Sequence, residues 1–148
     1  YWLAVLDIDH FKRINDLYGH LYGDEVLILM ANIMRRSFRR ADLLFRYGGE
    51  EFVVVLKTRV IEDAEVALER FRQNMENYHF PQVGQVTVSI GFTQILDTEI
   101  ITVVISRADK ALYYAKEHGR NQVRCYETLI TEGTLDKPNG HFGDIELF

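Results

Sequence analysis

The sequence predicts an α+β fold, with a mostly antiparallel central sheet flanked by helices. Three observations point there. Apolar runs of strand length (residues 3–6 and 52–56) mix with stretches whose apolar residues recur at helical spacing. Gly48-Gly49 separates two strand-like runs, a tight-hairpin signal that makes those strands antiparallel neighbours. The 148 residues suit one domain around one core.

Residues 1–6 have strand propensity and run straight into Asp7-Ile8-Asp9. Residues 11–17 predict a short helix stopped by Gly19. Residues 24–38 predict a stronger one: Val26, Met30, Ile33 and Met34 fall at helical spacing, and Asp24 and Glu25 favour its first turn through the helix dipole. Residues 43–47 and 51–56 are the hairpin strands. Residues 62–75 are helical, with Ala64, Leu68, Phe71 and Met75 on one stripe. Residues 85–95 read as a strand, or a bent strand pair around Gly91. Residues 103–117 are helical, with Ile105, Ala108, Leu112 and Ala115 toward the core and Gly119 as C-cap. A last strand covers 122–126. From Thr128 no periodicity persists, and Asp136-Lys137-Pro138-Asn139-Gly140 reads as a flexible tail. The domain is therefore assigned to residues 1–127, and 128–148 to a tail of unknown role.

Composition narrows the functional classes. The chain is 47% hydrophobic and 26% charged, which is ordinary for a soluble globular protein. No apolar run is long enough to span a membrane, and the opening run meets Asp7 too soon for a signal peptide. The single cysteine, Cys125, excludes an internal disulfide and fits a reducing, cytoplasmic setting. The net charge of −5 argues against wholesale binding to nucleic acid or anionic membrane. An anionic substrate would need a local basic patch or a metal ion.

Asp7 and Asp9 stand where an apolar strand ends, and positions i and i+2 of a strand face the same way. Two carboxylates on one face repel unless a cation or a basic residue sits between them, although a strand end simply meeting solvent reads the same. Glu50 and Glu51 follow the Gly48-Gly49 turn, where positive φ at both glycines would let the backbone approach a ligand. An exposed hairpin with surface glutamates is the plain alternative. Brought together, the two acidic clusters would make an oxygen-rich site suited to magnesium and to phosphoryl or nucleotidyl transfer. Asn15 and Asp24 could read a guanine edge, since a carboxylate accepts from N1–H and N2–H; helix surface and helix N-cap are their bland readings.

The order of motifs is more specific than any one of them. Asp7-Ile8-Asp9-His10-Phe11-Lys12-Arg13-Ile14-Asn15-Asp16, Gly19-His20, Gly23-Asp24 and Arg46-Tyr47-Gly48-Gly49-Glu50-Glu51-Phe52 resemble the GGDEF family, in its GGEEF form. The resemblance continues through Ser89-Ile90-Gly91 and residues 108–113 to Ala115-Lys116 and Gly119-Arg120-Asn121, covering about residues 1 to 126. The family normally begins earlier, with a helix and wide turn before the first strand.

The resemblance implies a nucleotide-cyclase-like fold with a ferredoxin-like βαββαβ core, and a diguanylate cyclase that condenses two GTP into cyclic di-GMP with release of two pyrophosphates. It implies that Asp7, Glu50 and the Ile8 carbonyl hold magnesium, with Glu51 beside it and manganese as an alternative ion. Glu50 is the implied general base and Lys12 the group that neutralises transition-state charge. Asn15 and Asp24 would hold guanine in a pocket shaped by Phe11 and His20, and Lys116 and Arg120 would reach the terminal phosphates. Lys116 and Arg120 are spaced i, i+4, so a helix end could present both on one face. Arg39 and Asp42 match the family's Arg-x-x-Asp product site, with Arg70 as its secondary arginine, which implies allosteric product inhibition. A homodimer for catalysis and an upstream sensor domain are the implied partners. Competing readings are a domain that binds GTP or cyclic di-GMP without turnover, a dimerisation scaffold, and a cyclase acting within one nucleotide.

Overall fold

The computed structural model describes residues 1–137. Strand β1 (Trp2–Ile8) is buried along its whole length because it is apolar on both faces, the pattern of a central strand. It pairs antiparallel with β3 (Glu51–Leu56) on one side and β4 (Val88–Gln94) on the other. Strand β2 (Leu43–Arg46) extends the sheet beyond β3, also antiparallel. Strand β5 (Val123–Cys125) lies parallel to β4, giving the order β2-β3-β1-β4-β5. Three of the four strand pairings are antiparallel, as the sequence predicts. The first four strands follow the βαββαβ order, and β5 is added through a helical crossover.

Five helices complete the described chain: α1 (Phe11–Tyr18), α2 (His20–Ser37), α3 (Ile61–Asn77), α4 (Ile101–Glu117) and α5 (Tyr126–Thr131). Period-2 alternation in β1 divides the core. Trp2, Ala4, Leu6 and Ile8 pack with Met30 and Met34 of α2 and Leu68, Phe71 and Met75 of α3. Leu3 and Val5 pack with Val53 and with Val104, Ala108 and Leu112 of α4. Fully buried side chains such as Phe71 each contribute about 1.5–3 kcal/mol by leaving water.

Several local expectations change. Helix α2 starts at His20, about one turn before residue 24, so Asp24 lies inside the helix and is not its N-cap. The buried residue of that first turn is Gly23, which leaves no apolar mark in the sequence. The Gly48-Gly49 connection is not a two-residue turn: Tyr47–Glu50 link the strands, both the Tyr47 and Gly48 amides donate to the Glu51 carbonyl (2.9 and 3.2 Å), and neither glycine has positive φ. Gly91 does not bend β4. It lets α4 lie on the strand, because a Cβ there would stand 2.2 Å from Ala108 O and Leu112 N. Ile105 is only half-buried, and Val104 and Ala111 take core positions beside Ala108 and Leu112. Tyr126 opens α5, which seats Tyr126 and Leu129 on Ala111 of α4. The 127/128 boundary thus falls within a packed helix, whose six residues are too few to show a period. Pro138-Asn139-Gly140 of the expected tail lie outside the described residues. Among the described residues no helix is long and apolar enough to cross a membrane.

Candidate active site

Pairing register brings the two acidic clusters together. Asp7, next to last in β1, stands opposite Glu51 of β3 and Ser89 of β4, and the hairpin places Glu50 just before Glu51. Asp7 is only 3% exposed. Its Oδ2 pairs with the Lys116 ammonium, while Oδ1 is buried with no hydrogen-bond partner. Burial raises the Asp7 carboxyl above the ordinary carboxylate range; the bond and charge of Lys116 work against that rise, and the Asp9 charge adds to it. Glu50 and Glu51 are also raised, first by burial and then by the charge of Asp7. Asp109 adds its own charge to Glu51.

This electrostatic pattern fits a divalent cation. A cation at Asp7 would partner the orphan Oδ1 and offset the mutual repulsion of the three carboxylates. The available donors are all oxygens, the set that magnesium prefers. Among the described residues no three His, Cys, Asp or Glu side chains converge as a metal cage.

Asp9 neither meets solvent nor joins Asp7 at the pair with Lys116. It is 4% exposed and accepts from the Thr87 and Ser89 hydroxyls (2.7 and 2.6 Å) and the Asn121 amide (3.0 Å). Lys116 is engaged by Asp7, and so is not standing free for a phosphate. Arg120 lies beyond α4, which ends at Glu117, so the two cations do not share a helix face. A left-handed turn carries Arg120 back instead, at φ 63°, with its amide on the Ala115 carbonyl (2.9 Å). Its charge still reaches Asp7.

Helices α1 and α2 meet at Gly19, whose φ of 92° ends one helix and opens the next. A Cβ on Gly23 would fall 1.8 Å from Asn15 Oδ1, so this glycine makes room for the Asn15 amide. Phe11 is buried in the core beneath this contact. Lys12, His20 and Asp24 are exposed. Asp24 lines a cleft of about 620 Å³ between α2 and the hairpin, together with Leu27, Ile28, Phe45, Arg46 and Phe52. Arg46 braces the hairpin turn by donating to the Gly48 and Gly49 carbonyls (3.3 and 2.8 Å). The cleft has the size of small-molecule sites in general.

The Arg39–Asp42 pair is built differently from a ready acceptor-and-fork. Asp42 is buried and accepts from the backbone amides of Arg39 (3.0 Å) and Lys57 (3.2 Å). Its carboxylate thus fastens the turn after α2 and is not turned outward. Arg39 is exposed and donates to the Lys57 carbonyl (3.1 Å). Arg70 spans from α3 and places its fork on the Ser37 carbonyl (3.1 and 2.7 Å), covering the end of α2. Sequence reading missed two contacts that shape this region, the Asp9–Asn121 bond and the Gly23–Asn15 contact. A glycine inside a helical pattern signals the second; the first joins positions 112 residues apart and has no local signature.

The structure is that of an α+β domain with an acidic site at the end of its central strand and a cleft of ligand size between α2 and the hairpin. The family model described as diguanylate cyclase, GGDEF domain, matches residues 1–122, and the chain belongs to that family. The chain is 47% identical over 124 residues to diguanylate cyclase DgcP of Pseudomonas aeruginosa, covering 82% of this chain and 18% of DgcP. It superposes on the GGDEF domain of DgcB from Caulobacter crescentus, solved in complex with c-di-GMP, with a TM-score of 0.80 and 37% identity, covering 85% and 77% of the two chains. The active GGEEF domain of a diguanylate cyclase from Vibrio cholerae gives 0.77 and 35%, covering 84% and 81%. The chain spans only 18% to 34% of the length of curated relatives such as DgcP, diguanylate cyclase A of Treponema denticola and DgcM of Escherichia coli.

Proposed function

We propose that this domain is a diguanylate cyclase, joining two GTP molecules into cyclic di-GMP and releasing two pyrophosphates. The observation that carries the reading is the buried Asp7 carboxylate, with one oxygen on Lys116 and the other orphaned, facing the Glu50-Glu51 turn. Asp7, Glu50 and the Ile8 carbonyl would hold magnesium or manganese, with Glu51 alongside. When bound, that ion neutralises phosphate charge and lowers the pKa of the attacking ribose hydroxyl.

Asn15 and Asp24 bind the guanine edge, Asp24 as an acceptor for N1–H and N2–H, with His20 at the rim. Glu50 takes the 3′-hydroxyl proton as general base. Lys12, Arg120 and Lys116 balance the triphosphate charge, Lys116 once it leaves Asp7. With one guanine pocket per domain, two loaded domains must face each other across a two-fold axis. Catalysis is then mainly positioning and electrostatics. Arg39, Asp42 and Arg70 form the inhibitory product site once Asp42 leaves its backbone amides and Arg70 the Ser37 carbonyl, and an upstream sensor domain controls the encounter in the cytoplasm.

The test is incubation with GTP and magnesium, followed by analysis for cyclic di-GMP and pyrophosphate. Wild type should form both, and Glu50→Ala should lose most of the activity. Binding of GTP or cyclic di-GMP without product would make the domain a receptor instead. A cyclic mononucleotide would make it a cyclase of the other kind.

A further inference from the structure

Three non-glycine residues at the end of β1 and after α4 hold left-handed backbone: His10 (φ 57°), Arg120 (φ 63°) and Asn121 (φ 46°). Such conformations persist only where the surroundings over-determine them, and they concentrate at functional sites. Here one side chain lies between the two turns. Asp9 immediately precedes His10, and its Oδ2 accepts the Asn121 amide at 3.0 Å. The same oxygen accepts the Thr87 hydroxyl, and Oδ1 accepts the Ser89 hydroxyl. The Asp9 amide donates to the Thr87 carbonyl at 2.9 Å. Asn121 is clamped at its other end by α3: its Nδ2 donates to Glu76 Oε2 (2.5 Å), and its Oδ1 accepts from Arg72 (2.9 Å).

We propose that Asp9 is a positioning residue for the phosphates of the nucleotide. It bonds the β4 hydroxyls and the Asn121 amide together, and so holds the Arg120–Asn121 turn against the end of β1. Arg120 on one turn and Lys12, two residues after His10 on the other, are thereby kept at one separation. Arg120 has no helix or strand of its own to fix it there, because it lies outside α4, and Lys12 sits in the first turn of the short α1, directly after the His10 turn. Asp9 itself touches no ligand, because three donors already use its buried carboxylate. The inference rests on the cyclase reading only for the identity of the ligand.

The test compares Asp9→Ala, Asp9→Asn and Ser89→Ala in the whole chain. Three quantities are measured: pyrophosphate affinity by titration calorimetry with magnesium, KM and kcat for GTP, and hydrogen exchange of the Asn121 amide. Asp9→Ala should weaken pyrophosphate binding and raise KM by about tenfold or more, the usual cost of losing a supporting contact around a site. The Asn121 amide should then exchange quickly. Asp9→Asn can still accept that amide through Oδ1 and donate Nδ2 to Ser89, so its affinity should return to within about threefold of wild type. Ser89→Ala keeps the Asn121 bond and should bind like wild type even where it melts earlier.

Wild-type affinity in a folded Asp9→Ala overturns the proposal. So does a loss in Ser89→Ala equal to that in Asp9→Ala, which would make Asp9 only a fold stabiliser. If Asp9→Ala does not fold, Asp9→Asn decides: weak binding with the Asn121 amide still protected would show that the charge matters and the bond does not. A wild type that fails to bind pyrophosphate also overturns it. A wild type that binds pyrophosphate but forms no cyclic dinucleotide defeats the cyclase reading and leaves the positioning result standing.

Discussion

Lys116 of α4 closes an ion pair on Oδ2 of Asp7 while Oδ1 of the same carboxylate is buried without a partner. The lysine offsets only part of the burial cost, because the Asp7 carboxyl is still raised. A raised carboxyl binds its proton more tightly folded than unfolded, so ionised Asp7 lowers stability as pH climbs through the range above its ordinary value. Without divalent metal, Asp7→Asn should therefore melt no earlier than wild type at neutral pH. With saturating magnesium, wild type should gain stability by mass action and Asp7→Asn should gain none. Thermal scans with and without magnesium check both parts. A variant melting several degrees lower without metal would show that the pair with Lys116 outweighs burial.

Gly23→Ala tests the proposed guanine pocket. The added methyl would overlap Asn15 Oδ1, which stands 1.8 Å from its position. Better helix propensity returns at most about 1 kcal/mol, against about 1–3 kcal/mol for overpacking. The Asn15 amide should move aside. We expect a folded domain with GTP affinity down about tenfold, since Asn15 is one of the two proposed guanine contacts, and with the preference over ATP largely kept, since Asp24 stays in place. Unchanged affinity for both nucleotides would remove Asn15 from the pocket.

Gly91→Ala should act on stability instead. Its methyl meets two backbone atoms of α4 at 2.2 Å, which cannot rotate away. A loss of about 3 kcal/mol, at the upper end for overpacking, is expected from urea denaturation.

Acid should destabilise the domain through two arginine clasps. Arg72 holds Glu69, and Arg107 holds Glu99, below the ordinary carboxylate range, in each case chiefly by the hydrogen bond it donates. For a lowered carboxyl the stabilisation is present above its unfolded pKa and is lost as pH falls through the folded one. Asp7, Glu50 and Glu51 are raised and act in the opposite sense at higher pH. Arg107→Met should therefore cost more stability at about pH 7 than at about pH 3. Urea midpoints at the two values decide it; equal losses would mean that Arg107 acts by packing alone.

Asp42 and Arg39 should separate by variant. Asp42→Ala leaves the amides of Arg39 and Lys57 without their acceptor and should cost about 1–3 kcal/mol. Arg39 is exposed, so Arg39→Ala should cost less than about 1 kcal/mol. Because Arg39 belongs to the proposed product site, its variant should also show a higher yield at late times with its initial rate unchanged. Coincident progress curves would reduce the pair to a turn fastener.

Sequence alone determined most of the elements and nominated the candidates for the site. Apolar residues at period 2 and 3.6 mark strands and helices because burial rewards one face. Hence the stripe Ala64, Leu68, Phe71 and Met75 is wholly buried, as its spacing predicts. The motif order through Asp7, Asn15, Asp24, Glu50, Lys116 and Arg120 names the chemistry that the family match supports. Only tertiary structure decided how those residues are used. Pairing register set Asp7 opposite Glu51, and the packing of α4 on Gly91 brought Lys116 to Asp7. The turn after α4 claimed Asp9 as a fastener. Two carboxylates two residues apart look alike in a sequence; their roles diverge because one is left with an unsatisfied buried oxygen and the other meets three donors from distant parts of the chain.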